Sequence, residues 1–91
     1  MLGNKILEKA IETYGVEAQI RMAFEEMAEL TQAICKSLRG ADNLNNVVEE
    51  IADVEIMLEQ IKMIYDIEQW EIDMKKKEKL LRLSEKLNIS E

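Results

Sequence analysis

Residues 47–64 read V-V-E-E-I-A-D-V-E-I-M-L-E-Q-I-K-M-I, and their spacing decides the fold class. Val47, Val54, Met57, Ile61 and Ile64 recur at steps of seven, three and four, the period of one face of an α-helix. Val48, Ala52, Ile56 and Met63 fall outside that row, so the helix is apolar on more than one face. Such a helix has to be buried on most sides. One residue breaks the row. Glu50 stands between Val47 and Val54, where a helical bundle normally places Leu or Ile.

Working outward, Asn46 followed by Glu49 resembles a capping box opening this helix, which should end near residue 65. The G-A-D-N-L-N-N of residues 40–46 reads as the loop before it. Upstream, a helix over residues 16–38 carries the row Ile20, Ala23, Met27, Leu30 and Ile34 and stops at Arg39-Gly40. A shorter helix over residues 5–14 has Asn4 as its N-cap and Gly15 as its stop. Downstream, Asp66 with Gln69 gives a second cap-like pair, and a fourth helix runs to about residue 87, where Asn88 is suited to end it. Three helices of roughly 30 Å with short connections predict an all-α, antiparallel helical bundle of about four helices. Residues 1–91 form one domain on this reading. A chain of this size buries only about 60–65% of its unfolded surface. Covering the third helix therefore points to self-association as a homodimer or larger oligomer.

Composition agrees. The chain has no proline, three glycines, 47% apolar and 34% charged residues, a mixture that favours helices. Nineteen acids against twelve bases give a net charge of −7, which argues against a nucleic-acid polymer as partner. The absence of histidine and the single cysteine exclude Cys–His zinc sites, histidine triads and an intrachain disulfide. Cys35 reads as a small buried hydrophobe. No apolar run approaches the length of a membrane span and the first residues lack an apolar signal core, so a cytoplasmic chain with no membrane partner is expected.

Two acidic clusters stand out against this background. Glu25, Glu26 and Glu29 form E-E-x-x-E in the second helix; Glu50 and Asp53 form E-x-x-D in the third. A spacing of three sets both carboxylates of a pair on one helical face. Chance pairs such as Glu8/Glu12, Glu55/Glu59 and Glu68/Glu71 read as solvated faces. Glu50 and Glu26 differ because each borders the apolar row, where an ionised carboxylate is costly unless paired or metal-bound. Several such groups together repel one another. A hard divalent cation, Mg²⁺ or Mn²⁺, relieves both costs and suits an all-carboxylate donor set. Magnesium so held usually takes substrate phosphates as further ligands.

E-E-x-x-E, 20 intervening residues and then E-x-x-D resembles the signature of the MazG-like all-α nucleoside triphosphate pyrophosphohydrolases. Glu29-Leu30 and the block E-E-I-A-D-V at residues 49–54 extend the likeness, which covers residues 14–87 in a short form like those of phage and bacterial genomes. The resemblance implies a dimeric or tetrameric bundle, Mg²⁺ dependence, and hydrolysis of (d)NTP to (d)NMP and pyrophosphate. It implies Glu26, Glu29, Glu50 and Asp53 as metal ligands. It also implies Glu25 and Glu26 as catalytic residues, with Glu25 as an outer group or the base that orients water. The related phosphoribosyl-ATP pyrophosphohydrolases and dimeric dUTPases share this site logic.

Family members also carry basic residues in the last helix, which makes Lys77 and Arg82 candidates for the substrate phosphates, with Lys75 and Lys79 behind them. Lys77 interrupts the row Trp70, Met74, Leu81. A snorkelling lysine in a solvated basic tail explains it equally well. Trp70, Tyr65, Phe24 and Tyr14 offer stacking surfaces but suit the core or a subunit interface better; Met22, Met27, Met57 and Met63 suit the core. The competing reading is a non-catalytic oligomeric interaction module, whose acids would face solvent or pair with Arg21, Lys36 or the lysine run. Loss of catalysis on the same fold is a third possibility, against which all four ligand positions hold carboxylates.

Overall fold

The computed structural model describes residues 2–89. Among them are four α-helices and no strand: α1 (Leu2–Tyr14), α2 (Val16–Leu38), α3 (Leu44–Ile64) and α4 (Gln69–Leu87). The expected all-α class is therefore found, and the ends of the helices have local causes.

α1 and α2 are separated by one residue. Gly15 has φ 94° and ψ 154°, a conformation essentially restricted to glycine. Its N–H donates to Ile11 O at 2.8 Å and its carbonyl accepts from Gln19 N at 3.1 Å, so one residue closes α1 and opens α2. At the end of α2, Gly40 takes φ 96°. Its N–H donates to Ser37 O at 3.0 Å and Ala41 N–H donates to Lys36 O at 3.1 Å, the paired bonds of a Schellman ending.

Three expected boundaries shift. α1 begins at Leu2, so Gly3 and Asn4 lie within the helix and Asn4 is not its cap. α3 begins at Leu44 with Asn43 in the capping position, three residues before Asn46. The Asn43 side chain is engaged elsewhere: its Nδ2 donates to Ala33 O at 2.9 Å and ties the loop back to α2. Asp66 does not cap α4, because it ends α3. It adopts φ 55°, and Ile67 N–H donates to Lys62 O at 2.8 Å behind it. The capping box of α4 is Glu68 with Glu71, whose Oε2 accepts from Glu68 N–H at 2.9 Å. Asn88 ends α4 in the left-handed conformation, as its position in the sequence suggests.

α2 and α3 form the main packed pair, and α1 lies against both. Their seam is built from Ala23, which is completely buried, with Ala33, Met57, Gln19 and Gln60 also buried. Small residues on α2 let the two backbones approach closely. The seam residues of α2 are Gln19, Ala23, Glu26, Leu30 and Ala33, all buried or half-buried, so the helix is turned slightly from the expected row. Met27 and Ile34 consequently lie exposed. Along α3 the expected row holds, from Val47 through Met57 to Ile64.

No extended packing joins α4 to the other helices. It leaves the three-helix body just after the turn at Asp66, near which Lys62 donates to Gln69. The radius of gyration is accordingly 16.4 Å, against roughly 12 Å for a compact chain of this length. α4 has no buried residue. Trp70, Tyr65, Phe24 and Tyr14 are all exposed within one chain, as are Met22 and Cys35, the latter contrary to its reading as a buried hydrophobe.

Candidate metal centre

The hairpin of α2 and α3 brings the two acidic motifs together in inverted order. Glu26 lies within reach of Asp53, and Glu29 within reach of Glu50. As the position on α2 rises by three, its partner on α3 falls by three, which only antiparallel helices do. One carboxylate oxygen from each of Glu26, Glu29 and Glu50 lies within 4.8 Å of the other two. Glu26 and Glu50 are half-buried; Glu29 is at the exposed rim.

This arrangement is electrostatically uncomfortable. Loss of hydration raises the Glu26 carboxyl most, and the neighbouring Glu29, Asp53 and Glu50 add to it, pushing its pKa up to about 6 from 4.5. Glu50 is raised as well, first by loss of hydration and then by Glu29 and Asp53. None of the groups acting on either carboxyl is a cation. Arg21 pairs instead with Glu17 at 2.7 Å. Glu26 Oε2 and Glu50 Oε2 are shielded from solvent and lack a hydrogen-bond donor among the described residues. Two facing carboxyls can share a hydrogen bond only when one keeps its proton. At neutral pH the alternative is a cation.

Three carboxylates from two helices, two of which carry an orphaned oxygen, fit a divalent ion of the magnesium class. A softer ion would be favoured by thiolate or imidazole ligands, neither of which is near. The orphaned oxygens are the physical sign of the fit, since a buried acceptor with nothing to accept from is costly.

The other candidate residues are placed as follows. Asp53 is exposed and stands beside Glu26, outside the closest triad. Glu25 is exposed, one residue before Glu26 and turned away from the triad by the helical step. Lys77 and Arg82 sit on α4, which has no extended packing against α2 or α3, so one chain does not carry them to the carboxylates. Residues that the sequence reading passed over are Gln19 and Gln60, seven positions along α2 and α3 from Glu26 and Asp53. Both are buried, and Gln60 Oε1 has no bonding partner among the described residues. Their periodic signal was present, because both fall in register with the seam, but polarity masked it.

Among the described residues, no helix is long and apolar enough to cross a membrane. Comparison of the chain with protein-family models, curated proteins and solved structures finds no match, so the geometry of these carboxylates carries the functional reading.

Proposed function

We propose that this chain is a Mg²⁺-dependent nucleotide pyrophosphohydrolase that converts (d)NTP and water to (d)NMP and pyrophosphate. The observation that supports the reading is the convergence of Glu26, Glu29 and Glu50 from two helices, with two shielded oxygens lacking donors. The motif spacing that resembles the MazG-like enzymes supplies the reaction class.

On this reading Glu26, Glu29 and Glu50 would hold the divalent ion, Mg²⁺ or Mn²⁺, with Asp53, beside Glu26, as the further ligand the motif supplies. When bound, the ion supplies positive charge against the phosphates and Lewis acidity at phosphorus. The rigid α2–α3 seam fixes the carboxylates before substrate arrives, so little reorganisation accompanies the reaction. Glu25 is turned away from the triad by the helical step, so as the proposed base it would act from outside the ion's ligands, on a water at the rim, accepting its proton as the bond between the α- and β-phosphates breaks. Lys77 and Arg82 meet the phosphates if α4 is brought over the site.

The test is an assay of the purified chain with ribo- and deoxynucleoside triphosphates, with Mg²⁺ and with EDTA, measuring pyrophosphate separately from orthophosphate. Pyrophosphate release that needs Mg²⁺ and disappears in Glu50→Gln supports the proposal. Release of orthophosphate alone, or activity unchanged by Glu50→Gln, overturns it.

A further inference from the structure

The seam that carries the carboxylates also buries two amides. Gln19 of α2 is 4% exposed and Gln60 of α3 is 2% exposed, less than the apolar Met57 beside them at 6%. Each stands seven positions from an acid of the site, Gln19 before Glu26 and Gln60 after Asp53. In an antiparallel hairpin the numbers of facing residues add to a constant, because one helix climbs as the other descends. Glu26 with Asp53 and Glu29 with Glu50 share that constant, and Gln19 with Gln60 has the same one. The two glutamines therefore face each other, about 10 Å along the helix axis from the Glu26–Asp53 pair.

A buried amide contributes little to stability here. Gln60 Oε1 has no donor among the described residues, a cost that a leucine would not incur. What two facing amides supply is discrimination between registers. Each carries donors and an acceptor, so each is suited to satisfy the other only when they are opposite. Polar residues in otherwise apolar helical seams set register in this way, at some expense of stability.

The rest of the seam does not select this register. Ala23 and Ala33 are alike, and Val47, Val54, Met57 and Ile61 repeat at helical steps, so a slip of one turn meets similar surfaces. The acids oppose the observed register, because like charges repel until a cation arrives. A slip of one turn in one direction would set Gln19 against Met57; in the other, Gln60 against Ala23. Either slip leaves an amide against an apolar wall, and either leaves at most one acid of α2 facing an acid of α3. The register that matches amide to amide is the one that matches acid to acid. At the other end of the seam, Asn43 Nδ2 donates to Ala33 O at 2.9 Å, seven positions beyond Glu26. The carboxylates lie between these two polar fastenings.

Resting on the metal-centre reading of those acids, we propose that Gln19 and Gln60 are positioning residues. They hold α2 and α3 in the register that sets Glu26, Glu29, Glu50 and Asp53 across from one another before a cation binds.

Spin labels on Cys35 of α2 and on an introduced Glu55→Cys of α3, both exposed, report the register as a distance without metal. Dilution with unlabelled chain confines the signal to labels within one chain. The chain with both glutamines should give one narrow distance. Gln19→Leu with Gln60→Leu should add a second, displaced by about 5 Å, the rise of one helical turn. The double variant should melt no lower than the wild type, whereas Gln19→Leu alone, which strands Gln60, should melt lower than both. Its Mn²⁺ affinity, read from the resonance of the free ion, should fall at least about tenfold in the double variant, as for residues that orient metal ligands. A single unchanged distance in the double variant overturns the proposal, and so does an unchanged Mn²⁺ affinity once the second distance has appeared. A wild type that binds no Mn²⁺ while the double variant gains the second distance upholds the register role and overturns the metal centre instead.

Discussion

α3 and α4 are nearly the same length, adjacent in sequence and both amphipathic, yet one is buried along a seam and the other has no buried residue at all. The difference lies in what fills the polar positions. α3 interrupts its apolar face with Glu50 and has Asp53 beside it, both meeting acids on α2, whereas α4 interrupts its face with Lys77 and has no extended packing against the other helices. The packed region thus holds a concentration of like charge that a cation would relieve. The unpacked region holds the positive charge that the first region lacks.

The contrast is tested most severely at Glu50. Glu50→Gln should reduce pyrophosphate release by at least about 100-fold, since even removing groups behind a metal ligand costs 10–100-fold in affinity or activity. The metal-free protein should nonetheless melt no lower than the wild type, because one of the repelling charges has gone. A melting temperature that falls together with activity would mean that Glu50 supports the fold rather than a site.

Methionine deletions compare the two helices as packing elements. Met57→Ala removes a buried side chain of the seam and should cost about 2–5 kcal/mol in chemical denaturation. Met74→Ala in α4, measured dilute enough to keep the chain monomeric, should stay within about 0.5 kcal/mol. Equal losses at the two positions would erase the distinction between body and arm.

A smaller effect is expected at the joint between α1 and α2. Gly15→Ala places a Cβ at φ 94°, and the resulting backbone strain should cost about 1–3 kcal/mol by the same measurement. A neutral result would show that the joint relaxes and does not fix α1 on the pair.

The mildest change is with pH. Glu26 has its pKa raised from 4.5 to about 6, so the folded state holds this proton more tightly than the unfolded chain. Stability of the metal-free protein should fall as pH rises through that window and remain lower above it, with Glu50 acting in the same direction. Saturating Mg²⁺ at pH 7 should restore the melting temperature, because an ion bound only by the folded state stabilises it. A melting temperature that rises from pH 5 to pH 7 without metal would contradict the described crowding of carboxylates.

How far the sequence reveals all this varies along the chain. The limits of α2 are legible because Gly15 and Gly40 perform tasks that a side chain obstructs. The start of α4 is not, since Asp66 reads as a cap and Glu68 with Glu71 as a solvated pair, and only the structure shows that Asp66 is already used to end α3 and that Glu68 and Glu71 form the capping box. Asn43 is misleading for a related reason: an asparagine can cap a helix or reach across to another, and here it bonds to Ala33. The carboxylates of the site are legible as two motifs on two helices, while their pairing of Glu26 with Asp53 and Glu29 with Glu50 depends on the register of the hairpin. α2 turns slightly from its most apolar row because alanines and acids, not Met27 and Ile34, line the seam. Periodicity alone ranks bulk above fit, and so passes over Gln19 and Gln60.

The central claim is that acids from α2 and α3 jointly hold a hard divalent ion. An anomalous-difference map from crystals grown with Mn²⁺ and a non-hydrolysable nucleoside triphosphate tests it most directly. The account predicts a peak at an ordinary metal–oxygen separation, roughly 2.0–2.2 Å, from Glu26, Glu29 and Glu50, with the triphosphate against it. No peak there, with those three side chains turned apart into solvent, would contradict it.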